Sequence, residues 1–228
     1  MHLGLIGGIG VAATIAYYQR LTQAVGGPFD LTIEHGDVQT LIANNLTDAR
    51  DAQAAIYARH IDRLARAGCD AVAITSLGGH FCFAETQALS ALPLISGVEP
   101  LDRFFADQGL ARVGLLGTRV VMRTRLYGQL DLTDSVALDD QIETLGQTYQ
   151  DVALSGRCSD AQRATFFAAG RQMVDAFGAQ AIVLAGTDLN LAFDGHDPGF
   201  RVVDALDVHV DLLAQLIRGD TGHIPAKR

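Results

Sequence analysis

Residues 71–80 read AVAITSLGGH, an apolar run that breaks at Thr75 into two hydroxyls, two glycines and a histidine. An unbroken run of small and branched apolar residues, with no alternation, marks a strand buried on both faces, as in parallel sheets. Residues 181–188, AIVLAGTD, repeat the design about a hundred residues later and open into Gly186, Thr187 and Asp188. In open α/β sheets, ligands bind just beyond the carboxyl ends of the strands. The two ends are therefore expected to serve one small pocket.

Working outward, strand and helix patterns alternate along the whole chain. Strands are expected at Leu3–Ile6, Leu31–Glu34, Ala71–Thr75 and Leu92–Ile95, then at Val113–Leu116, Val136–Leu138, Ala181–Leu184 and Arg201–Val203. Helices are expected at Val11–Ala24, from Asp48 or Asp51 to Gly68, at Phe83–Leu89 and Pro100–Asp107, then at Val120–Gly128, Asp139–Val152, Asp160–Phe177 and Ala205–Arg218. Residues His35–Thr47 read as irregular and the tail Gly219–Arg228 as loose. Strands that alternate with helices imply parallel sheets built from right-handed crossovers. A weak internal repeat, LGLIGG against VGLLGT and AVAITSLGG against AIVLAGTDL, divides the chain in two. The expected fold class is α/β, with two similar Rossmann-like halves, each a mostly parallel four-stranded sheet flanked by helices, and the site in the cleft between them. Residues 1–97 plus 205–228 form the first half, closed by the C-terminal helix, and residues 98–204 the second.

Composition narrows the partners. At 228 residues and 49% hydrophobic, the chain can bury a substantial core. A net charge of −9 with no block of Lys or Arg argues against nucleic acid, because neutralising phosphates needs a basic face. No apolar run approaches the roughly 18 residues of a membrane span, and MHLGLIGG reads as a first strand rather than a signal peptide. Cys69, Cys82 and Cys158 have neither metal-type spacing nor an even count, which fits a reducing cytoplasm and no metal.

Gly8-x-Gly10-x-x-Ala13 after a strand matches a dinucleotide-binding fingerprint. Against that reading, the glycines begin one residue early, and Thr14 and the Tyr17-Tyr18 pair have no role in it. The same residues resemble the opening of the aspartate/glutamate racemase family, the cofactor-independent racemases, in which a strand is followed by two glycines, a Thr and a Tyr-Tyr pair. Gly7, Gly8, Thr14, Tyr17 and Tyr18 fall in that register. AVAITSLGGH is similar to the family's first catalytic segment, GLLGTRVVMRTRLY to its GLLGTRFTME…Y, AIVLAGTDL to its AVILGCTEI, and VVDALDVH to its C-terminal FDTTRLH.

The resemblance implies a homodimer without cofactor, in which two cysteines flank the Cα of an amino acid and exchange its proton. Such inversion needs an acid and a base on opposite faces, each tuned near neutrality. At the two cysteine positions this chain carries Thr75 and Gly186. Candidate catalytic residues are therefore Thr75, Gly186, Asp188 and His80, with Gly8, Ser76, Thr118 and Thr187 binding substrate. His209 matches the family's C-terminal histidine, and for both histidines a satisfied polar network competes with a direct role. The family's side-chain-binding arginine has no counterpart before Arg50, and Arg119, Arg123 and Arg125 read mainly as solvated. The ligand is expected to be a small amino acid or carboxylate handled by proton transfer at Cα. A lyase, decarboxylase or double-bond isomerase of the same superfamily, and a non-catalytic carboxylate-binding protein, are the alternatives.

Overall fold

The computed structural model describes residues 1–8 and 10–219. Contacts divide the chain into two units, Met1–Gly97 with His209–Arg228, and Val98–Val208. The tail expectation falls, Gly219 apart, outside the described residues.

The N-terminal unit begins with β1 (His2–Gly7), α1 (Val11–Val25), β2 (Asp30–His35), α2 (Val38–Leu46) and α3 (Arg50–Arg66). It continues with β3 (Ala71–Ile74), a 3-10 turn (Gly78–Cys82), α4 (Phe83–Leu89) and β4 (Leu94–Ile95). The sheet order is β2-β1-β3-β4. Leu3 pairs with Leu31 on one side and Ala71 on the other, and every ladder is parallel. Leu3, Leu5, Ile6 and the whole of β3 are buried, as strands covered on both faces must be, whereas the edge strand β2 is half-exposed. On α3 the buried stripe is Gln53, Ala54, Tyr57, Ile61 and Leu64. Ala55 lies on the exposed face of the same helix.

The second unit runs α5 (Glu99–Asp107), β5 (Arg112–Gly117), α6 (Arg119–Arg123), β6 (Asp134–Val136), α7 (Ile142–Ser155) and α8 (Asp160–Phe177). Then come β7 (Ala181–Ala185), a 3-10 turn (Thr187–Leu189), α9 (Asn190–Phe193), β8 (Val202–Asp204) and the first residues of α10 (Ala205–Ile217), which from His209 on belongs to the N-terminal unit. The order β6-β5-β7-β8 repeats that of the first sheet, again entirely parallel. Its core is built from α7 and α8 against the sheet, with Leu116, Leu145, Val152, Phe166, Met173 and Ile182 in one cluster. The first turn of α8 is fixed by a capping box in which Ser159 and Gln162 satisfy each other's backbone N–H groups.

Three local expectations are corrected. The segment read as irregular contains α2, whose N-cap Asp37 accepts from Thr40 N at 2.8 Å; only Leu41 of this helix is buried, so little apolar periodicity announces it. The helix expected over 120–128 stops at Arg123, and Arg125, Leu126 and Tyr127 all take positive φ (51°, 55° and 62°). Side-chain-bearing residues pay about 1–2 kcal/mol each there, so the surrounding packing must enforce the turn. The second strand of the second half pairs at Asp134–Val136 rather than 136–138, leaving Ala137 and Leu138 to enter the core beyond the ladder.

Candidate functional site

Each sheet reverses its winding between its two central strands, so each has a topological switch point at the carboxyl ends of β1 and β3, or of β5 and β7. The residues singled out in the sequence stand at or just beyond these ends.

In the N-terminal unit, Gly8 sits at φ 83°, and a Cβ there would lie 2.7 Å from the Gly36 carbonyl oxygen, so only glycine fits the turn. Its N–H donates to Thr14 Oγ1 at 2.9 Å, and Thr14 Oγ1 lies 3.3 Å from Thr75 Oγ1. Thr75 is fully buried and donates its hydroxyl to the Ile6 carbonyl at 3.1 Å. Gly8, Thr14 and Thr75 thus form one hydrogen-bonded string. Ser76 is buried; its Oγ accepts from Gly79 N at 3.2 Å and shapes the 3-10 turn.

His80 closes that turn. Its Nδ1 faces the Ser76 carbonyl at 2.8 Å and its Nε2 accepts from Gly97 N at 3.0 Å, so the ring is the Nδ1–H tautomer with both nitrogens engaged. The ring stacks on Phe83 at 5.2 Å. Burial holds its pKa down at about 4, against a partial lift from the Ser76 carbonyl. His209, on α10, is also fully buried, with Nδ1 2.8 Å from the Tyr17 hydroxyl and its ring 6.5 Å from His80. Burial, with the neighbouring His80 adding to it, lowers its pKa to about 3. Both histidines are neutral fixtures around Gly97, where a Cβ would approach His209 Nδ1 to 2.8 Å. The lone pair that a general base would need is committed in His80 to a backbone N–H.

In the second unit, Gly117 and Thr118 end β5, and Thr118 Oγ1 caps α6 by accepting from Val121 N at 3.4 Å. Gly186, Thr187 and Asp188 follow β7, with Thr187 and Asp188 each 1% exposed. Sequence reasoning missed the side chain that completes this end, Tyr149 of α7, whose hydroxyl donates to Asp188 Oδ2 at 3.3 Å. A Cβ on Gly186 would lie 2.8 Å from Tyr149 Cζ and 3.0 Å from Gly117 Cα. Burial first, and then the Asp188 charge, push the Tyr149 phenol well above its ordinary pKa, so it stays protonated. The available signal was a tyrosine on the buried Leu145–Tyr149–Val152 stripe, since a buried phenol normally has a hydrogen-bond partner.

The arginines are committed elsewhere. Arg119 crosses α7 at Gly146 and donates to Glu143 (3.1 Å), Gln150 (3.0 Å) and Gln147 (2.7 Å). Arg123 also pairs with Glu143, and Arg125 with Asp139 at 2.8 Å. No cysteine occupies either strand end. Cys69 precedes β3, Cys158 lies between α7 and α8, and Cys82 closes the 3-10 turn fully buried. Burial raises the Cys82 thiol to about 11, which removes it as a thiolate at neutral pH. Among the described residues no group of three or more His, Cys, Asp or Glu could hold a metal, and no helix is long and apolar enough to cross a membrane.

Two parallel sheets of identical strand order, each with buried hydroxyls at its switch point, define a class of duplicated α/β proteins. A sequence profile of the Asp/Glu/hydantoin racemase family matches residues 6–213. The chain belongs to that family. Solved structures with the same fold include a candidate Asp/Glu racemase from Yersinia pestis, at TM-score 0.79 and 23% identity, covering 96% of this chain and 100% of that one. An aspartate racemase homologue from Pyrococcus horikoshii OT3 superposes at 0.74 with 20% identity over 95% of this chain and 99% of that one. The aspartate racemase of Picrophilus torridus gives 0.73 and 18%, over 96% and 98%.

Proposed function

We propose that the protein binds a small amino acid or carboxylic acid and moves the proton at its Cα without a cofactor and without thiols. The observation that carries this reading is the burial of polar groups at both switch points. Thr75, Ser76, Thr187 and Asp188 are all 5% exposed or less at strand ends whose surroundings are apolar. Strand ends at switch points are where α/β proteins place ligand contacts. In this reading Thr75 and Gly186 stand where family relatives carry their two cysteines, with Gly8 and Ser76 as the ligand contacts of the N-terminal unit and Thr118 and Thr187 as those of the second. No arginine is required, in keeping with the commitment of Arg119, Arg123 and Arg125 to Glu143 and Asp139.

A two-thiol racemase places an acid on each face of Cα, and this chain has a hydroxyl at Thr75 and no side chain at Gly186. Racemisation of aspartate or glutamate at about 1 per second or faster is accordingly not expected. The test incubates the protein in deuterated water with separate L- and D-enantiomers of a panel of small amino and carboxylic acids, reading deuterium at Cα by mass spectrometry. Deuterium uptake by at least one acid, with a matching rise in the unfolding temperature, is the expected result. No exchange and no thermal shift across the panel would reject the reading.

A further inference from the structure

The N-terminal unit also holds a cavity of about 390 Å³, bounded by the end of β2, the start of α2 and one side of α3. Strand β1 leads through α1 to β2, and β2 leads back past β1, through α2 and α3, to β3. Right-handed crossovers that run in opposite directions lay α1 and α3 on opposite faces of the sheet. Thr14, on α1, belongs to one face and the cavity, against α3, to the other. The cavity is therefore separate from the string of Gly8, Thr14 and Thr75, although the His35 ring in its wall abuts the Gly8 turn.

Three side chains of the lining have hydrogen-bonding capacity to spare. Gln53 is 2% exposed, and its Oε1 accepts from Asn44 Nδ2 at 2.9 Å, while its Nε2 has no partner among the described residues. That nitrogen is not one of the polar atoms closed off from solvent, so it opens onto the cavity that the residue lines. His60 turns Nδ1 to Glu34 Oε1 at 3.1 Å, and its Nε2 has no partner among the described residues. Arg59 makes no ion pair among the described residues; its bond is to the Ala55 carbonyl of its own helix, at 3.4 Å. The nearby carboxylates are engaged. Glu34 is held by Arg63 at 2.5 Å as well as by His60. Asp37, the acidic residue of the lining, accepts from Thr40 N and Oγ1 at the start of α2, where the helix dipole offsets its charge.

We propose that this cavity binds a carboxylate with an apolar body, an aryl or branched-chain acid, its head on Gln53 Nε2, Arg59 and His60 and its body along Ile56. The proposal does not rest on the function proposed above, since it concerns the other face of the sheet. The head is an anion because Arg59 brings a full charge and Gln53 Nε2 offers only N–H groups. A planar carboxylate matches the guanidinium fork. Protonated, His60 donates to the same head from Nε2 while Glu34 holds its Nδ1. The body is apolar because the cavity, within the roughly 300–1,000 Å³ of small-molecule sites, is larger than a bare ion needs, and such sites set a few placed polar groups in apolar walls.

The experiment titrates the isotope-labelled full chain with benzoate, 3-methylbutanoate, benzyl alcohol and inorganic phosphate, following amide signals by NMR. At least one of the two acids is expected to shift the Gln53 side-chain amide along a saturable isotherm, about tenfold or more tighter than benzyl alcohol, which lacks the charge, or phosphate, which lacks the body. Arg59→Met removes the charge from an exposed position that pairs with no other side chain, so the fold survives, and it should weaken binding about tenfold or more. Gln53→Glu keeps an acceptor for Asn44 and sets an anion against the ligand, and it should weaken binding at least as much. No shift of the Gln53 amide with either acid, equal binding of benzyl alcohol or phosphate, or native affinity in Arg59→Met would overturn the proposal. Shifts confined to Gly8, Thr75 and Ser76 would overturn it as well, while leaving the function proposed above standing.

Discussion

Lowering the pH from 7 to 5 should weaken the fold through two rings. An unfolded histidine protonates near 6.5, whereas His80 and His209 hold off protonation until about 4 and about 3 because burial disfavours the charged ring. Between those values the unfolded chain binds more protons than the folded one, so stability falls as pH falls below 6.5 and the loss ends only once the folded rings protonate. At pH 5 each ring lies about 1.5 pH units below its unfolded pKa, and at 1.36 kcal/mol per unit each costs about 2 kcal/mol. The pair then costs about 4 kcal/mol, a large fraction of the 5–15 kcal/mol typical of domains. Denaturant unfolding at pH 7, 6 and 5 measures this above the range in which most carboxylates titrate. His209→Asn, which leaves a polar atom for the Tyr17 hydroxyl, should cut the pH dependence by about half, since it removes one of two similar terms. Stability at pH 5 equal to that at pH 7 would refute the picture of two neutral, desolvated rings.

Other perturbations probe separate parts of the molecule. Gly186→Ala should cost about 2 kcal/mol by overpacking against Tyr149 and the Gly117 backbone, and in a double-mutant cycle with Tyr149→Ala the costs should be clearly less than additive. For the same reason, Thr75→Cys with Gly186→Cys should create little α-proton exchange while Tyr149 is present. Asp102→Ala should cost about 3 kcal/mol in denaturant unfolding, because its buried carboxylate accepts the N–H groups of Asp131, Leu132 and Thr133 at 2.8, 2.9 and 3.0 Å. Thr187→Val should weaken calorimetrically measured binding of any acid found in the panel by about 1–3 kcal/mol, the loss of a hydrogen bond to a charged group. Thiol labelling of the native protein, followed by mass spectrometry, should modify Cys158 first and reach Cys82 only on unfolding.

The sheets were legible because their central strands are buried on both faces. AVAI and AIVLA admit no other reading once helices flank them, and the same property places Thr75 and Gly186 at strand ends from sequence alone. Elements held by few apolar contacts were not legible in this way. Helix α2 buries only Leu41 and depends on one Asp37 cap, and the left-handed run Arg125–Tyr127 is imposed on residues with no intrinsic preference for it.

The site was legible only as far as residue types near the strand ends could carry it. That His80 is saturated depends on Gly97, seventeen positions away, and that Gly186 is not an empty place depends on Tyr149, thirty-nine positions from the carboxylate it meets. Neither contact leaves a local pattern, because a helix residue and a strand end become neighbours only through the crossover that lays the helix on the sheet. A glycine in place of a reacting side chain reads, along the sequence, as a loss of chemistry. In the folded unit it is a concession of space to a phenol, the ring of Tyr149 on α7, which a Cβ at position 186 would meet.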